Sequence, residues 1–406
     1  MAGSLLALVL GRAGRAVTLI DPHRDPPPDF RNEKLGIDQI ERLRDLGVLH
    51  CFEEACWGED AAAHSANVVR PPLKDCGARY DRWVARIRAA LPPQVDFIAG
   101  KVDQIQASDD LQTVTLASGE RIDGRLVVLA TGRGERLRAG LGVSRQVFSE
   151  KHSLCLGFSV AARDGDPWAT QANIWHGRFG DRIAYMTLFP MREEVRVNVF
   201  CYHEANDPWV RAMRADPVGV LSQTLPEAAE ALAGLEVVRP LEVRGTDLYG
   251  VEGHVRSGVV LLGDAFHAPC PSSGTGMTRI LNDVGQLART HLPAWLATPG
   301  MGSDKIAAFY ADPVKQQVDR ASVSRSVVGR SVAVSRSPYW RARRGLSLLK
   351  RILRPDQTRL PARLANQATI SPKTNMAARF STIDIGVGGS LDAALDRGTT
   401  IKVMTT

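Results

Sequence analysis

The chain has 406 residues, of which 44% are hydrophobic and 23% charged, with a formal net charge of +7. That balance is the balance of an ordinary soluble globular protein, long enough to bury the cores of two domains. No apolar run approaches the roughly 20 residues a membrane helix needs, which excludes an integral membrane segment. The apolar stretch at residues 5–10 lacks the charged lead-in and cleavage site of a secretory signal. Six cysteines (Cys51, Cys56, Cys76, Cys155, Cys201 and Cys270) are scattered with no C-x-x-C pair, which argues against zinc or a disulfide framework and for a cytoplasmic protein with reduced thiols. The positive excess gathers between Arg320 and Arg363. It reads as a solvated basic helix, with a patch for an anionic partner or acidic lipid as the alternative, and no nucleic-acid partner is expected.

The chain opens on a helical pattern over residues 4–10, loosened at Gly11 and Gly14, and continues into a short buried strand over residues 17–20 that ends at Asp21. Three consecutive prolines, Pro26 to Pro28, make the next loop irregular. Apolar residues at Ile37, Ile40, Leu43 and Leu46 predict a helix, and residues 79–91 a second one stopped by Pro92-Pro93. Strands are expected at 95–98, 102–107 and 113–116, and a continuous apolar run at 126–130 has the look of a buried parallel strand. From His152 to about Glu242 the texture changes to alternating, aromatic-rich segments at 154–160, 183–189 and 195–202. These predict a mainly antiparallel sheet inserted into the first domain. A buried strand at 259–262 and a helix from Asn282 to about His291, ending before Pro293, return to the first texture.

The expected fold class is therefore α/β: a Rossmann-like domain with an incomplete first strand, an inserted antiparallel sheet, and a helical C-terminal region. The expected divisions are 1–150 and 246–312 for the nucleotide-binding domain and 151–245 for the inserted substrate domain. A basic helical region at 313–370 and a loose tail at 371–406 complete the chain.

The opening residues matter for what they lack. A Rossmann site runs strand, G-x-G-x-x-G, helix, with an acidic residue about 20 positions on that bonds ribose hydroxyls. Here Gly3 stands directly before a helix, then a strand, then Asp21. This matches the second half of the motif with Gly3 as its third glycine, and implies that the first strand and first two glycines belong to a longer parent upstream of Met1. The other reading is an unrelated helix–strand opening.

The most informative segment follows the 259–262 strand: Gly263-Asp264-Ala265-Phe266-His267, then Pro271, Gly274, Thr275, Gly276 and Asp283. The strand delivers Gly263 and Asp264 at its C-terminal end, where α/β sheets bind ligands. Gly263 allows close backbone approach, and Asp264 can accept from a sugar-alcohol hydroxyl. Pro271 stiffens the loop, and Gly274-Thr275-Gly276 opens a helix whose free N–H groups suit a ring carbonyl or phosphate. A glycine-rich turn explains the glycines but not the whole ordered set.

This set resembles the flavin-ribityl motif of the FAD-dependent aromatic hydroxylases, the para-hydroxybenzoate hydroxylase-like flavoprotein monooxygenases. The resemblance implies that Asp264 binds the ribityl chain and that the backbone at Gly274–Gly276 faces the flavin ring. Thr278 stands where the family usually has asparagine. The family's middle motif, Asp-Gly-x-x-Ser-x-x-Arg, is matched by Thr131-Gly132-Arg133-Gly134-Glu135-Arg136-Leu137-Arg138 in its glycine and final arginine only. The departure at Thr131 removes the family's usual nicotinamide contact, while Ala130-Thr131-Gly132 resembles the dinucleotide-contacting turn of other flavoproteins. Arg31, beside Glu33 and Lys34, lies where these hydroxylases place a cation near the FAD phosphates; surface pairing with Glu33 is the alternative. Arg79 or Arg82 could match a further FAD-contacting position, and spacing does not choose between them.

The family's chemistry is oxygen insertion. Reduced FAD, with NAD(P)H as a possible electron donor, forms a flavin hydroperoxide with O₂ that hydroxylates or epoxidises a small organic substrate. A structural role suits His267 better than general-base catalysis, and Trp175, Tyr185, Phe189, Phe200 and Tyr202 either fill the inserted sheet's core or line a substrate cavity. Three alternatives stay open: a halogenase, which would be expected to carry a W-x-W-x-I-P segment that the seven tryptophans do not form; a geranylgeranyl-reductase-like flavoprotein that uses no oxygen; and an inactive truncated flavoprotein.

Overall fold

The structure is a computed structural model that describes residues 1–58, 71–162, 165–178, 180–340, 342 and 400–405. Its first layer is a five-stranded sheet in the order Val259–Leu261, Leu126–Leu129, Ile401–Met404, Val17–Asp21, Val95–Ala99. Every neighbouring pair is parallel. Four of the five strands are buried at every position, which is why they read as unbroken apolar runs rather than alternating ones. Helix Ala2–Arg12 is buried from Ala2 to Gly11 and packs onto this sheet between helices Tyr80–Ala89 and Gly276–Gly285. A helix hydrophobic on all sides needs such a position.

The strand Ile401–Met404 corrects the expectation that residues 371–406 form a loose tail, at least for its last few residues. It occupies the sheet's central place, between Val17–Asp21 and Leu126–Leu129. Four residues are too few to show a period, and their partners lie up to nearly 390 positions earlier in the chain, so local reading has nothing to detect. Residues 371–399, and residues 343–370 of the basic helical region expected at 313–370, lie outside the described residues.

The second large sheet is antiparallel, in the order Asn173–His176, Ile183–Pro190, Val195–Cys201, Ser144–Val160, Val237–Glu252. Alternation divides its residues between two faces. Leu156, Phe158, Met186, Leu188, Val197 and Val199 point to one side and form a core under the helices of residues 208–232. Cys155, Gly157, Tyr185, Thr187, Asn198 and Phe200 therefore point to the other, toward the parallel-sheet layer. On that side Phe189 packs on Gly77, where a Cβ would come within 2.3 Å of its ring, and Arg196 donates to the Phe30 carbonyl at 3.1 Å. Tyr185, Phe189 and Phe200 thus do not fill the sheet's own core, whereas Trp175 packs against it.

The expectation that the helix near 282–291 stops before Pro293 is also corrected. Helix Gly276–Gly285 passes through a π-turn at Gln286–His291 into helix Leu292–Leu296. Pro293 is the second residue of that last segment and directly follows the π-turn, so the helix continues past it. Beyond it, helix Pro313–Val334 is capped by Asp312, whose carboxylate accepts from the Val314 and Lys315 N–H groups at 2.8 and 3.0 Å.

Candidate functional site

The C-terminal ends of the parallel strands open on a cleft of about 780 Å³, counting the solvent at its mouth. Asp21, Arg31, Gly132, Gly263 and Asp264 line it together, although they come from four separate stretches of sequence. This is the place where open α/β sheets hold ligands, because strand ends and helix N-termini leave backbone groups unpaired there.

Asp21 is held in place from several sides. Its carboxylate accepts from the His23 N–H at 2.8 Å, from Arg88 at 2.5 Å, and from the Thr405 hydroxyl. Only 2% of its surface is exposed. Arg31 makes a two-pronged pair with Asp29, at 3.0 and 2.9 Å, and its guanidinium lies 3.7 Å over the Tyr80 ring. The pairing with Glu33 that sequence leaves open is thus a pairing with Asp29. Burial pushes the Tyr80 hydroxyl up to about 12 and raises the Glu33 carboxyl above its ordinary value. Tyr80 is therefore a neutral phenol at neutral pH.

Gly263 has φ of +60°, in the left-handed region that other residues enter at a cost, and a Cβ built on it would sit 3.5 Å from Ala2. Asp264 follows directly, with one oxygen 3.5 Å from the Arg133 guanidinium. The middle motif's final arginine, Arg138, is buried and donates to the Ala265 carbonyl at 2.9 Å. It braces the turn that presents Asp264.

The other expected residues lie outside the cleft lining. Gly3 takes the packing role of a third glycine: a Cβ there would come within 2.4 Å of Thr405 and 3.0 Å of Val403, so only glycine lets helix Ala2–Arg12 lie this close to the central strand. Thr131 is buried at the strand exit. Pro271 opens a short 3₁₀ turn, and Gly274 follows with φ of +63°. The Thr275 hydroxyl is engaged by Ser273 and Ser322, each at 2.7 Å, so its side chain serves the loop. At Gly132, Gly274 and Gly276 a Cβ would meet nothing within 4 Å, so these three glycines face open space. Gln39 donates to the Thr278 hydroxyl at 2.9 Å and to the Gly274 carbonyl at 3.4 Å.

His267 is not placed to move protons. Burial, then the nearby Arg279 charge, pulls it down to about 3, so the ring stays neutral. Its backbone does the work instead: its N–H donates to the Gly263 carbonyl at 3.0 Å, and its carbonyl accepts from Arg279 at 2.7 Å. Arg279 belongs to a buried network with Asp319, Lys315 and Asp283, linked at 2.8, 3.1 and 3.0 Å. Burial raises the Asp283 carboxyl, whereas Arg279 and Lys315 outweigh burial at Asp319 and hold it low. The network fastens helix Pro313–Val334 to the helix behind the Gly274–Gly276 loop.

Several cleft residues escape sequence reading. Thr405 does so because its strand does. Neither Arg79, which precedes helix Tyr80–Ala89 and pairs with Asp81, nor Arg82 on that helix, paired with Glu193, reaches Asp21; Arg88 does. Four arginines within ten residues leave the choice to the helix's rotation, which sequence alone does not fix.

A family model described as an FAD binding domain matches residues 1–297. 3-Demethoxyubiquinol 3-hydroxylase of Escherichia coli (strain K12) is 25% identical over 332 residues, covering 74% of this chain and 81% of that protein. Among solved structures, p-nitrophenol 4-monooxygenase PnpA of Pseudomonas putida DLL-E4 is similar, with a TM-score of 0.62 at 18% identity, covering 88% of this chain and 93% of that one. HpxO of Klebsiella pneumoniae, solved with FAD and uric acid, gives 0.59 at 15% identity, covering 86% and 90%. The chain belongs to the FAD-binding domain family, with the fold of the para-hydroxybenzoate hydroxylase-like monooxygenases. Its cofactor is FAD, and the cleft's chemistry fits such a group: two carboxylates, Asp21 and Asp264, and Arg31, itself paired with Asp29, are gathered in its lining.

Proposed function

We propose that this FAD-dependent monooxygenase hydroxylates or epoxidises a small organic substrate with O₂. The observation that carries the reading is the convergence of Asp21, Arg31 and Asp264 at the ends of the parallel strands. Asp21 accepts from ribose hydroxyls, Arg31 balances the pyrophosphate charge, and Asp264 accepts from the ribityl chain. Gly263 keeps the turn tight, and the Pro271–Gly276 loop presents backbone to the ring. Gly3 and Thr131 support that geometry from behind. When bound, FAD supplies oxygen activation; this chain's residues bind and orient it.

The substrate lies against the antiparallel sheet, on the face that turns away from the sheet's own core. Tyr185 and Phe200 are half-buried there with ring centroids 4.7 Å apart, beside Thr187 and Asn198. Two adjoining rings, tilted 42° to one another, with a few polar groups suit a flat, partly polar molecule. NAD(P)H serves as electron donor in this reading, and the six buried free cysteines accord with a reducing, cytoplasmic setting. Among the described residues no helix is long and apolar enough to cross a membrane.

The test is a purified, FAD-loaded chain assayed with NADH or NADPH in an oxygen electrode. Oxygen consumption that rises with an aromatic substrate and gives a product heavier by one oxygen atom is the expected result. NAD(P)H oxidation that yields a reduced product with no oxygen uptake contradicts it and favours a flavin reductase.

A further inference from the structure

We propose that residues 400–405 are part of the cofactor site: they form the central strand of the parallel sheet and carry Thr405 to the cleft beside Asp21. The inference rests on FAD being the ligand of this cleft. A dinucleotide unit needs a strand, a turn and a helix in that order, because the turn places backbone and helix N-terminus against the pyrophosphate. Here strand Ile401–Met404, helix Ala2–Arg12 and strand Val17–Asp21 make that unit, although the first member lies at the far end of the sequence. The register is continuous: Ile401 to Met404 pair in parallel with Val17 to Ile20 on one side and Leu126 to Leu129 on the other.

Three contacts show that the strand is fitted to the site. Gly3 packs against Val403 and Thr405 at distances only a glycine allows. Lys402 is 5% exposed, and its ammonium donates to the Thr18 hydroxyl at 2.9 Å, which anchors the strand to its neighbour. Thr405 leaves the sheet at the cleft, where its N–H donates to the Ile20 carbonyl at 2.9 Å and its hydroxyl to the Asp21 carboxylate. Thr405, Met1 and Ala2 all line the cleft with Asp21. This side of the cleft is thus lined by two parts of the chain that lie far apart in sequence. Thr405 is a positioning residue: it fixes the carboxylate that takes the ribose hydroxyls.

The experiment compares the full chain with Thr405→Val and Thr405→Ser. Valine keeps the shape and replaces the hydroxyl with a methyl, which cannot donate to Asp21. The expected result is FAD binding about tenfold weaker in Thr405→Val, read by flavin fluorescence quenching, with an unchanged apo melting temperature, and recovery in Thr405→Ser. Hydrogen exchange on the unaltered chain supplies a second reading: adding FAD should slow amides 402–405 together with those of residues 2–5. Equal FAD affinity in Thr405→Val, or amides at 401–404 that exchange freely in the FAD complex, overturns this inference while leaving FAD binding intact. An unaltered chain that takes up no FAD fails earlier, at the cofactor itself, and the inference falls with it.

Discussion

Asp264 shows how one residue's setting decides its use. It sits after a glycine at φ of +60°, on a turn braced by Arg138 and by the Tyr249 hydroxyl, which donates to the Asp264 carbonyl at 2.8 Å. The backbone is fixed and the carboxylate is left facing the cleft. A hydrogen bond to a charged group contributes about 1.5–3 kcal/mol, so Asp264→Ala should weaken FAD binding roughly 10- to 100-fold in a fluorescence titration. Gly263→Ala forces a Cβ into left-handed backbone and should cost about 1–2 kcal/mol of stability by urea unfolding. His267 gives a pH signature. Its folded value is depressed to about 3 from an ordinary 6.5, so its contribution to stability is complete above pH 6.5 and is lost as pH falls toward 3. Urea midpoints measured from pH 7 to 4 should therefore fall less steeply in His267→Gln than in the unaltered chain.

At the scale of elements, helix Pro313–Val334 is held to the cofactor layer by a charge. Lys315 is fully buried between Asp283 and Asp319, with the Phe266 ring centroid 4.4 Å from its ammonium. Removing one partner of a buried network leaves the other charges uncompensated, at about 3–5 kcal/mol. Lys315→Met should lower the melting temperature by several degrees in a thermal scan, more than Lys305→Met, whose ammonium meets only backbone carbonyls near the surface. The sequence makes the strand Val259–Leu261 and its glycine-rich sequel legible, because a buried strand, a turn and a helix start follow one another within 25 residues. It leaves Ile401–Met404 illegible for the opposite reason. That strand's fit depends on Gly3, Thr18 and Asp21, which no local window can bring beside it.

For the whole molecule, the same contrast holds between chemistry and assembly. The two-layer plan, the antiparallel sheet and the ligand-binding ends of the parallel strands follow from alternating against continuous apolar patterns. What patterns do not carry is which surfaces meet: that Tyr185 and Phe200 turn away from their sheet's own core, or that Arg88 rather than Arg79 or Arg82 reaches Asp21. These are consequences of how helices rotate and layers stack. FAD is expected to lie in the cleft between Asp21, Arg31 and Asp264. A crystal structure of the chain grown with FAD tests it most directly. The predicted result places the ribityl hydroxyls on Asp264, the pyrophosphate between Arg31 and the start of helix Ala2–Arg12, and the ribose on Asp21. FAD bound elsewhere, with these three side chains free of it, would contradict this placement of the cofactor.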